Sequence, residues 1–536
     1  MRLRAIVQWP LWITLAATGA ILAARTMFGP LHWLLQVSSP LNAEGFFAIA
    51  FLLLILLRSD GATQGNTTEQ VHGWSALDVA AITSLVLLIT LVFAGNVRDY
   101  FLSDDFLITQ YANDYHFGFR QVFATGGGDG FFRPIANISL ALTAPWARFD
   151  PLRWHLIELA LHATNAVLVF SLARLLRMDS VTAWVAAALF AVHGSRPEAA
   201  VWISGRFDLQ ATFFVLVALV LVLRSQNMLA LVAMTLGILS KESAYVVPLL
   251  VLLLPPPRGD SGWKTRARLS APFFGVAALL FAYRWVLFGS VGGYLNGSSQ
   301  PQVFAFNLIS SAKGLCFRMW AILLFPINWS WQPGTLLGIF MLLYLAALVY
   351  LAAWLAWGSA RLKPLVLPLG FIVISAIPTL QQLLIGADLQ KARYLYLPSV
   401  GLCLLLARLA ADTPGRVRIF VCAALLAFHL TTLRHNIEPW SYAASKTRPA
   451  CVAAAAAVKE HGPRVVVAGL PGSLNGVYFF SNGFPACVAA ELGGIQAQIE
   501  LRPSGDGTAE RAGPVLVWDA ASEALQPGVA GSFRKH

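Results

Sequence analysis

Apolar runs recur along most of the chain and limit it to a small number of architectures. We identify thirteen such runs before residue 434, at 5–24, 41–57, 79–93, 156–172, 181–192, 209–223, 228–239, 244–254, 271–288, 336–357, 365–385, 395–409 and 419–433. A helix needs roughly 20 apolar residues to cross a bilayer, and several runs approach this length. The sequence therefore predicts an all-α polytopic membrane protein with about thirteen transmembrane helices.

Composition and charge support a membrane protein and exclude nucleic-acid binding. Hydrophobic residues make up 57% of the chain and charged residues 12%, against roughly 25% charged residues in soluble domains. The net charge of +12 comes from Lys and Arg residues that fall mainly in short connections between the apolar runs. Short basic connections are typical of cytoplasmic loops. We interpret the charge as a signal of membrane orientation rather than of a nucleic-acid partner.

If successive spans alternate in direction and the first begins in the cytoplasm, all of the basic connections lie in the cytoplasm. These connections contain Arg2, Arg4, Arg58, Arg174, Arg177, Arg224, the basic cluster 258–268, Arg361, Lys363, Arg416 and Arg418. The loops 96–154 and 193–208, the segment 391–393 and the tail after Arg434 then face outward. The stretch 306–327 carries Lys313 and Arg318 within apolar residues, so we predict an interfacial or re-entrant helix there. We also expect a surface helix at 135–146.

The chain divides into three predicted parts. Residues 1–75 form N-terminal membrane helices, residues 76–434 form the membrane domain that carries the candidate catalytic residues described below, and residues 435–536 form a small extracytoplasmic domain. The last part has a short buried strand at 464–469 and a turn at 471–476, which indicates a soluble α/β or β-rich appendage. Cys451 and Cys487 are the two cysteines that could form a disulfide on this side.

The acidic pair Asp104 and Asp105 is the leading catalytic candidate. It lies just beyond an apolar run, where neighbouring carboxylates are costly unless they bind a metal, pair with a cation or abstract a proton. Either residue could be a general base, and the pair could hold a divalent metal. The alternative is a solvated turn or a helix cap.

Further polar residues of the outward loops could surround the acidic pair. The first loop also contains Arg133, His116 and a glycine-rich stretch at 126–130, which we interpret as a flexible loop rather than a phosphate-binding motif. The second loop contributes His193, Glu198, Arg206 and Asp208. We assign His193, Glu198, Asp208 and Arg133 to binding of an acceptor substrate or to support of the site. For His193 and Glu198, the alternative is a helix end or a local ion pair.

Cations near three predicted span boundaries are candidates for binding a lipid phosphate. Arg393 is our first choice because a guanidinium matches phosphate oxygens with its planar fork, and Tyr394 beside it suits the headgroup level. Arg206 and Lys241 are weaker candidates. Arg393 could instead anchor its span at the interface.

The order of these motifs resembles that of the GT-C glycosyltransferases. The motifs are Asp104-Asp105, His193 with Pro197-Glu198, Gly205-Arg-Phe-Asp208, Lys241-Glu242 and Arg393-Tyr-Leu-Tyr-Leu-Pro398. The chain looks most like the membrane part of O-mannosyltransferases that carry tetratricopeptide repeats and like their bacterial relatives. It is more distantly similar to protein mannosyltransferases and to the lipid A aminoarabinose transferase. The repeats themselves are absent from this sequence, so the resemblance does not imply a protein acceptor.

This resemblance implies a polyprenyl-phosphate sugar donor and inverting transfer to an acceptor hydroxyl on the extracytoplasmic face. One carboxylate would deprotonate the acceptor while cations stabilise the departing lipid phosphate. The acceptor could be a protein, a lipid or a glycan. An outward active face fits a bacterial inner membrane with the site in the periplasm, or the lumen of the endoplasmic reticulum. A transporter or lipid flippase, or an inactive scaffold, remain alternative functions.

Overall fold

The structure is a computed structural model that describes residues 2–29, 40–57, 75–115, 122, 131–257, 262–293, 307–357, 363–503 and 515–528. Several residues of the sequence analysis lie outside this described part: Arg58, His116, the glycine-rich stretch 126–130, the beginning of the basic cluster at Arg258, and Arg361. The ten candidate site residues all lie inside it.

The first half of the chain forms helices joined mostly by short connections. In chain order they are α1 (Arg2–Phe28), α2 (Pro40–Leu56), α3 (Ala76–Phe93), α4 (Asp104–Asn113), α5 (Pro134–Ala147), α6 (Pro151–Leu175), α7 (Ser180–Val192), α8 (Pro197–Ala200), α9 (Arg206–Leu223), α10 (Asn227–Ile238), α11 (Val247–Leu253) and α12 (Trp263–Phe288). Single turns of 3₁₀ helix at Ile203–Gly205 and Glu242–Val246 lead into α9 and α11. The predicted surface helix at 135–146 corresponds to α5.

The second half continues with helices and ends in short strands. The helices are α13 (Leu308–Lys313), α14 (Met319–Leu324), α15 (Thr335–Trp357), α16 (Lys363–Ala376), α17 (Pro398–Ala411), α18 (Gly415–His461) and α19 (Phe484–Glu491). A π-helical turn at Gly314–Arg318 joins α13 to α14, and 3₁₀ turns at Ile377–Gln382 and Ala392–Leu395 follow α16 and precede α17. The strands are β1 (Arg464–Ala468), β2 (Ser473–Leu474), β3 (Val477–Tyr478), β4 (Gln498–Arg502), β5 (Val515–Asp519) and β6 (Ala524–Pro527).

Several helices begin where side chains satisfy the free N–H groups of the first turn. Ser75 forms a capping box with Asp78: the amide of Asp78 donates to Ser75 Oγ at 3.2 Å, and the amide of Ser75 donates to Asp78 Oδ2 at 3.0 Å. Asp150 and Asp179 accept backbone hydrogen bonds in the same way at the starts of α6 and α7. These capping side chains determine the residues at which the three helices begin.

Eight described helices are long and apolar enough to cross a membrane, and five shorter apolar helices accompany them. All thirteen predicted runs coincide with these helices. Large apolar side chains such as Leu91 on α3 and Val286 on α12 remain exposed on the outer surface, as expected of lipid-facing positions. The polytopic helical architecture is therefore confirmed. The number of thirteen crossings stays a prediction, because the five short helices have fewer than the roughly 20 residues of a full span.

The predicted interfacial or re-entrant stretch at 306–327 enters the protein interior. Every side chain of α14 is buried, and α14 packs against α2. The π-helical turn before it shifts the helix face between the more exposed α13 and the buried α14. This segment therefore contributes to the core at the end of the helical bundle.

A single long helix joins the bundle to the C-terminal sheet. Helix α18 has 47 residues, and the predicted boundary between residues 434 and 435 falls within it. The sheet has the strand order β4-β1-β5-β6, with β1 parallel to β4 and β5, and β5 antiparallel to β6. Residues Val465–Val467 of the central strand are fully buried. The predicted small α/β appendage is confirmed, and the Cys451–Cys487 disulfide links α18 to α19.

Candidate functional site

A cavity of about 820 Å³ opens among the ends of several helices and collects charged side chains of both signs. Its charged residues are Asp104, Glu242, Arg133, Lys241, Arg284 and Arg393. Its apolar wall comes mainly from α4 and from the 3₁₀ turn after α16, and includes Leu107, Ile108, Leu140, Phe131, Phe207, Val291, Ile377, Pro378 and Leu380. The cavity therefore presents both charged side chains and an apolar wall to a ligand that enters it.

Asp104 is the first residue of α4 and lines the cavity with a partly exposed side chain. Its Oδ1 accepts a hydrogen bond of 2.9 Å from Nδ2 of Asn482, a residue of the C-terminal region. The second carboxylate oxygen has no hydrogen bond among those of the described residues. Asp104 can therefore accept a proton from a group that enters the cavity.

Asp105 lies behind this surface. Its side chain is buried, its Oδ2 accepts from the amide of Leu102 at 3.1 Å, and its Oδ1 accepts from the amide of Ser204 at 3.2 Å. Burial raises the pKa of this carboxyl, and the neighbouring charge of Asp104 adds to the rise. Asp105 thus fastens the α4 loop to the turn before α9 rather than facing the cavity.

A metal ion at the acidic pair stays a prediction. Both oxygens of Asp105 are used by backbone amides, so the pair does not present two carboxylates to the cavity. Within the described ranges, no group of three or more His, Cys, Asp and Glu side chains has a geometry suited to a metal. The pair therefore offers one carboxylate, that of Asp104, to the cavity, and we assign no catalytic step to a metal.

Two arginines share one carboxylate on the cavity wall. Arg133 donates to Glu242 Oε2 from Nη2 at 2.8 Å, and Arg284 donates to Glu242 Oε1 from Nη1 at 2.7 Å. Burial alone would raise the pKa of Glu242, but the two guanidinium groups hold it at about 2. Glu242 is therefore ionised and orients both arginines.

Lys241 extends this charged wall. Its Nζ lies 2.6 Å from Asp208 Oδ2 and 5.0 Å from the centre of the Tyr394 ring. Burial lowers the pKa of Lys241 to about 8, against the opposing effect of Asp208. The amine is therefore charged at neutral pH but loses its proton at a lower pH than an ordinary lysine.

Arg393 reaches the cavity from the turn before α17. Its backbone amide donates to Glu198 Oε2 at 3.1 Å, and its guanidinium forms an ion pair with Glu198 Oε1. Asp208 Oδ2 lies 3.8 Å from its Nε, and the Trp202 ring lies 4.9 Å from its guanidinium carbon. Burial alone would lower the pKa of Arg393, but the Glu198 carboxylate raises it. Glu198 and Asp208 thus act behind the cavity wall as partners of its cations.

Arg206 and His193 lie away from the cavity. Arg206 forms an ion pair with Glu158, with Nε donating to Oε1 at 2.6 Å, and also donates to Thr143 Oγ1 at 2.8 Å. The side chains of Arg206 and Glu158 are 1% and 0% exposed. His193 is fully buried, bonds to Ser195 Oγ and the Leu323 carbonyl, and stacks on His429. Both residues thus contribute to contacts between helices rather than to the cavity.

Three residues of the site were not assigned a role from the sequence. Arg284 lies inside an apolar run that we interpreted as a span, although an ionisable residue in such a run is itself a functional signal. Glu242 was noted only as a neighbour of Lys241. Asn482 carries no recognisable motif, and its position beside Asp104 depends on how the C-terminal region folds back.

The class of protein that the fold and cavity define is a polytopic helical membrane protein with a charged site at its helix ends. No protein-family model matches the chain. It is similar to protein O-mannosyl-transferase Tmtc1 of Drosophila melanogaster, with 36% identity over 92 residues, or 17% of this chain and 11% of that protein. It is also similar to Tmtc2 of Drosophila melanogaster, with 31% identity over 173 residues, or 28% of this chain and 18% of that protein. Human TMTC2 matches with 31% identity over 93 residues, or 17% of this chain and 11% of that protein.

The predicted resemblance to these O-mannosyltransferases is confirmed as a local sequence similarity. The matches to the two Drosophila proteins span 11% and 18% of the relatives' lengths. Among solved structures, ArnT from Cupriavidus metallidurans bound to undecaprenyl phosphate has a TM-score of 0.43 and 12% identity, covering 82% of this chain and 92% of that chain. The Archaeoglobus fulgidus oligosaccharyltransferase tethered with an acceptor peptide has a TM-score of 0.41 and 13% identity, covering 79% of this chain and 63% of that chain.

Proposed function

We propose that this chain is a membrane glycosyltransferase of the GT-C type. It transfers a hexosyl or pentosyl group from a polyprenyl-phosphate donor to an acceptor hydroxyl on the extracytoplasmic face, with inversion at the anomeric carbon. For a bacterial chain, this face is the periplasmic side of the inner membrane. The local similarity to O-mannosyltransferases supports the reaction class, and the cavity supports the residue assignments.

The observation that carries the proposal is that one cavity contains the Asp104 carboxylate, four cationic side chains and an apolar wall. A polyprenyl-phosphate sugar has a matching chemistry, with an apolar chain, an anionic phosphodiester and a polar sugar. The cations Arg133, Lys241, Arg284 and Arg393 can bind the phosphate oxygens. The wall that includes Ile377 and Leu380 can bind the hydrocarbon chain.

Asp104 acts in this mechanism as the general base. Its carboxylate takes the proton of the acceptor hydroxyl while the hydroxyl oxygen attacks the anomeric carbon opposite the phosphate. The bond between the anomeric carbon and the phosphate oxygen breaks, and the electron pair leaves with the lipid phosphate. Arg393 and its neighbouring cations stabilise the charge that develops on this leaving group.

The location of the charged groups favours transfer over transport. Asp104 begins α4, Lys241 and Glu242 lie between α10 and α11, and Arg393 precedes α17. Transporters place their binding sites near the middle of the membrane, often at discontinuous helices. Charged groups that gather at helix ends instead suit a reaction at the membrane surface.

The test is transfer from a panel of radiolabelled polyprenyl-phosphate sugars in membranes that contain native acceptors. We expect label to move with the wild-type protein and the Asp104→Asn variant to lose at least about 100-fold in rate, the lower range of general-base effects. Asp105→Asn tests the other carboxylate of the pair. Because its NH2 group would face the amide of Leu102 or Ser204, a loss of rate that comes with a lower thermal midpoint reflects damage to the α4 loop rather than loss of the base. Wild-type transfer by a folded Asp104→Asn protein would overturn the assignment of the base.

A further inference from the structure

The C-terminal region folds back onto the loop that carries the acidic pair. The amide of Ser103 donates to the Phe479 carbonyl at 2.9 Å, and the hydroxyls of Ser103 and Ser481 lie 2.6 Å apart. The amide of Asn482 donates to Ser103 Oγ at 3.2 Å. These three contacts join Phe479, Ser481 and Asn482 of one segment, 479–483, to the residue that precedes Asp104.

The same segment meets Ser103 in a conformation that a serine rarely adopts. Ser103 has a φ of 47°, in the region that favours glycine. Gly483 has a φ of 78°, and a Cβ placed on it would lie 2.3 Å from the Ser103 carbonyl oxygen. Since α4 begins at the next residue, the segment 479–483 determines the direction in which Asp104 leaves the loop.

Aromatic packing and a disulfide hold this segment in place. Phe480 packs against Phe106 of α4 and against Phe484 of α19, with ring centres 6.4 Å and 4.7 Å apart. The Cys451–Cys487 disulfide then ties α19 to α18. The loop before Asp104 is thus attached to the C-terminal region by backbone, hydroxyl and ring contacts.

The C-terminal region also touches the cationic side of the site. The Tyr478 ring stacks on Trp202 with a centre distance of 4.9 Å, and the guanidinium carbon of Arg393 lies 5.9 Å from the Tyr478 ring. One short stretch of chain therefore reaches both the acid and a cation of the cavity. A surface appendage that served only for attachment would not need either contact.

We propose that Asn482 is a positioning residue for the transfer reaction, and that its side-chain amide holds Asp104 in the orientation needed to take the acceptor proton. This inference rests on the proposed function, because it assigns a catalytic role to Asp104. An ionised carboxylate only accepts hydrogen bonds, so Nδ2 of Asn482 is the donor of the 2.9 Å bond. The bond fixes one oxygen of Asp104 and leaves the other for the acceptor hydroxyl.

Three substitutions separate a hydrogen-bonding role from a packing role. Asn482→Leu removes the donor, and we expect kcat to fall about tenfold, the effect of one hydrogen bond to a charged group, with little change in the KM for donor. Asn482→Asp has nearly the same size but sets a second carboxylate against Asp104, so we expect a larger fall. Asn482→His restores an N–H donor and is expected to recover part of the lost rate.

The matched control is Asn475→Asp, in the turn between β2 and β3 of the same region. It adds the same charge at a residue whose backbone carbonyl, rather than its side chain, accepts the hydrogen bond from Asn328. We expect this variant to keep the wild-type kcat. Folding is compared by size-exclusion profile and thermal midpoint in detergent.

The outcomes distinguish this inference from the proposed function. If Asp104→Asn abolishes transfer but Asn482→Asp and Asn482→Leu keep the wild-type kcat, Asn482 has no positioning role and Asp104 remains the base. If Asp104→Asn transfers sugar at the wild-type rate, the proposed mechanism itself fails. A fall in kcat in the order Leu and then Asp, with recovery by His, supports the positioning role.

Discussion

Two arginine–glutamate pairs near the site have the same chemistry but differ in their surroundings. Arg393 pairs with Glu198 at the cavity wall, where its side chain keeps 14% of its surface exposed. Arg206 pairs with Glu158 in the interior, where both side chains are almost completely buried. Only Arg393 lines the cavity. The comparison distinguishes a cation that can contact a ligand in the cavity from one that is paired inside the protein and does not reach the cavity.

The difference shows that a glutamate partner does not by itself remove a cation from function. Glu198 binds Arg393 from behind through both the backbone amide and the guanidinium, so the arginine remains oriented towards the cavity. Glu158 and Thr143 instead surround Arg206. Three experiments test this contrast, and they follow in order of decreasing expected effect.

Glu158→Gln is expected to cause the largest loss, in folding rather than in donor binding. It leaves the Arg206 guanidinium buried without its counter-charge, which typically lowers the free energy of unfolding by about 3–5 kcal/mol. Thermal unfolding of the protein in detergent measures the change. The double variant Glu158→Leu with Arg206→Leu should recover most of the loss, because apolar residues replace both charges.

A different result would show that the two pairs do not differ in function. If Glu158→Gln kept the wild-type thermal midpoint and raised the KM for donor, Arg206 would belong with the cations of the cavity. The buried pair would then have a role in binding rather than in structure.

Arg393→Gln should raise the KM for donor. It also leaves the Glu198 carboxylate, which is 3% exposed, without its counter-charge, so the thermal midpoint is compared with that of the wild type. Loss of hydrogen bonds from a charged donor to phosphate is expected to raise the KM for the polyprenyl-phosphate sugar by about 10-fold to 100-fold. Initial rates over a range of donor concentrations measure this change. Arg393→Lys is the control that keeps the charge but not the planar fork, and we expect a smaller rise. Unchanged donor kinetics in both variants would remove Arg393 from the phosphate site.

Lys241 should give the smallest effect, visible as a pH dependence. Its pKa of about 8 lies below the ordinary value for lysine, so the amine is charged below this pH and neutral above it. We expect the KM for donor to rise as pH increases through about 8, by less than about tenfold, because three arginines remain charged. The Lys241→Arg variant should lack this dependence. A wild-type KM that stays constant between pH 7 and pH 9 would contradict the assignment.

Most of the helical part of the fold could be predicted from the sequence, because thirteen of the described helices each carry an apolar run. The runs 271–288 and 336–357, for example, lie within α12 and α15. The strand at 464–469 could also be predicted from local sequence, because three valines in succession indicate a buried strand. Boundaries were less accurate where a helix continues beyond its apolar part, as α18 does beyond residue 433.

The site was predictable only as a set of candidate residues. Asp104, Lys241, Arg133, Arg393 and Tyr394 line the cavity, as their place in the outward loops and span boundaries suggested. The burial of Arg206 could not be foreseen, because it depends on Glu158, which lies 48 positions earlier on another helix. The same holds for Glu198 and Arg393, which are separated by 195 positions.

The fold-back of the C-terminal region also has a consequence for the time at which the protein becomes active. Asp104 and Asn482 are separated by 378 positions, so the acid emerges from the ribosome long before the residue that bonds to it. Chains generally fold from the N-terminus during synthesis, and contacts of such separation form late. The bundle can therefore enter the membrane while its acid is still without this partner. Full activity is therefore expected only after synthesis has passed residue 483 and the C-terminal region has docked.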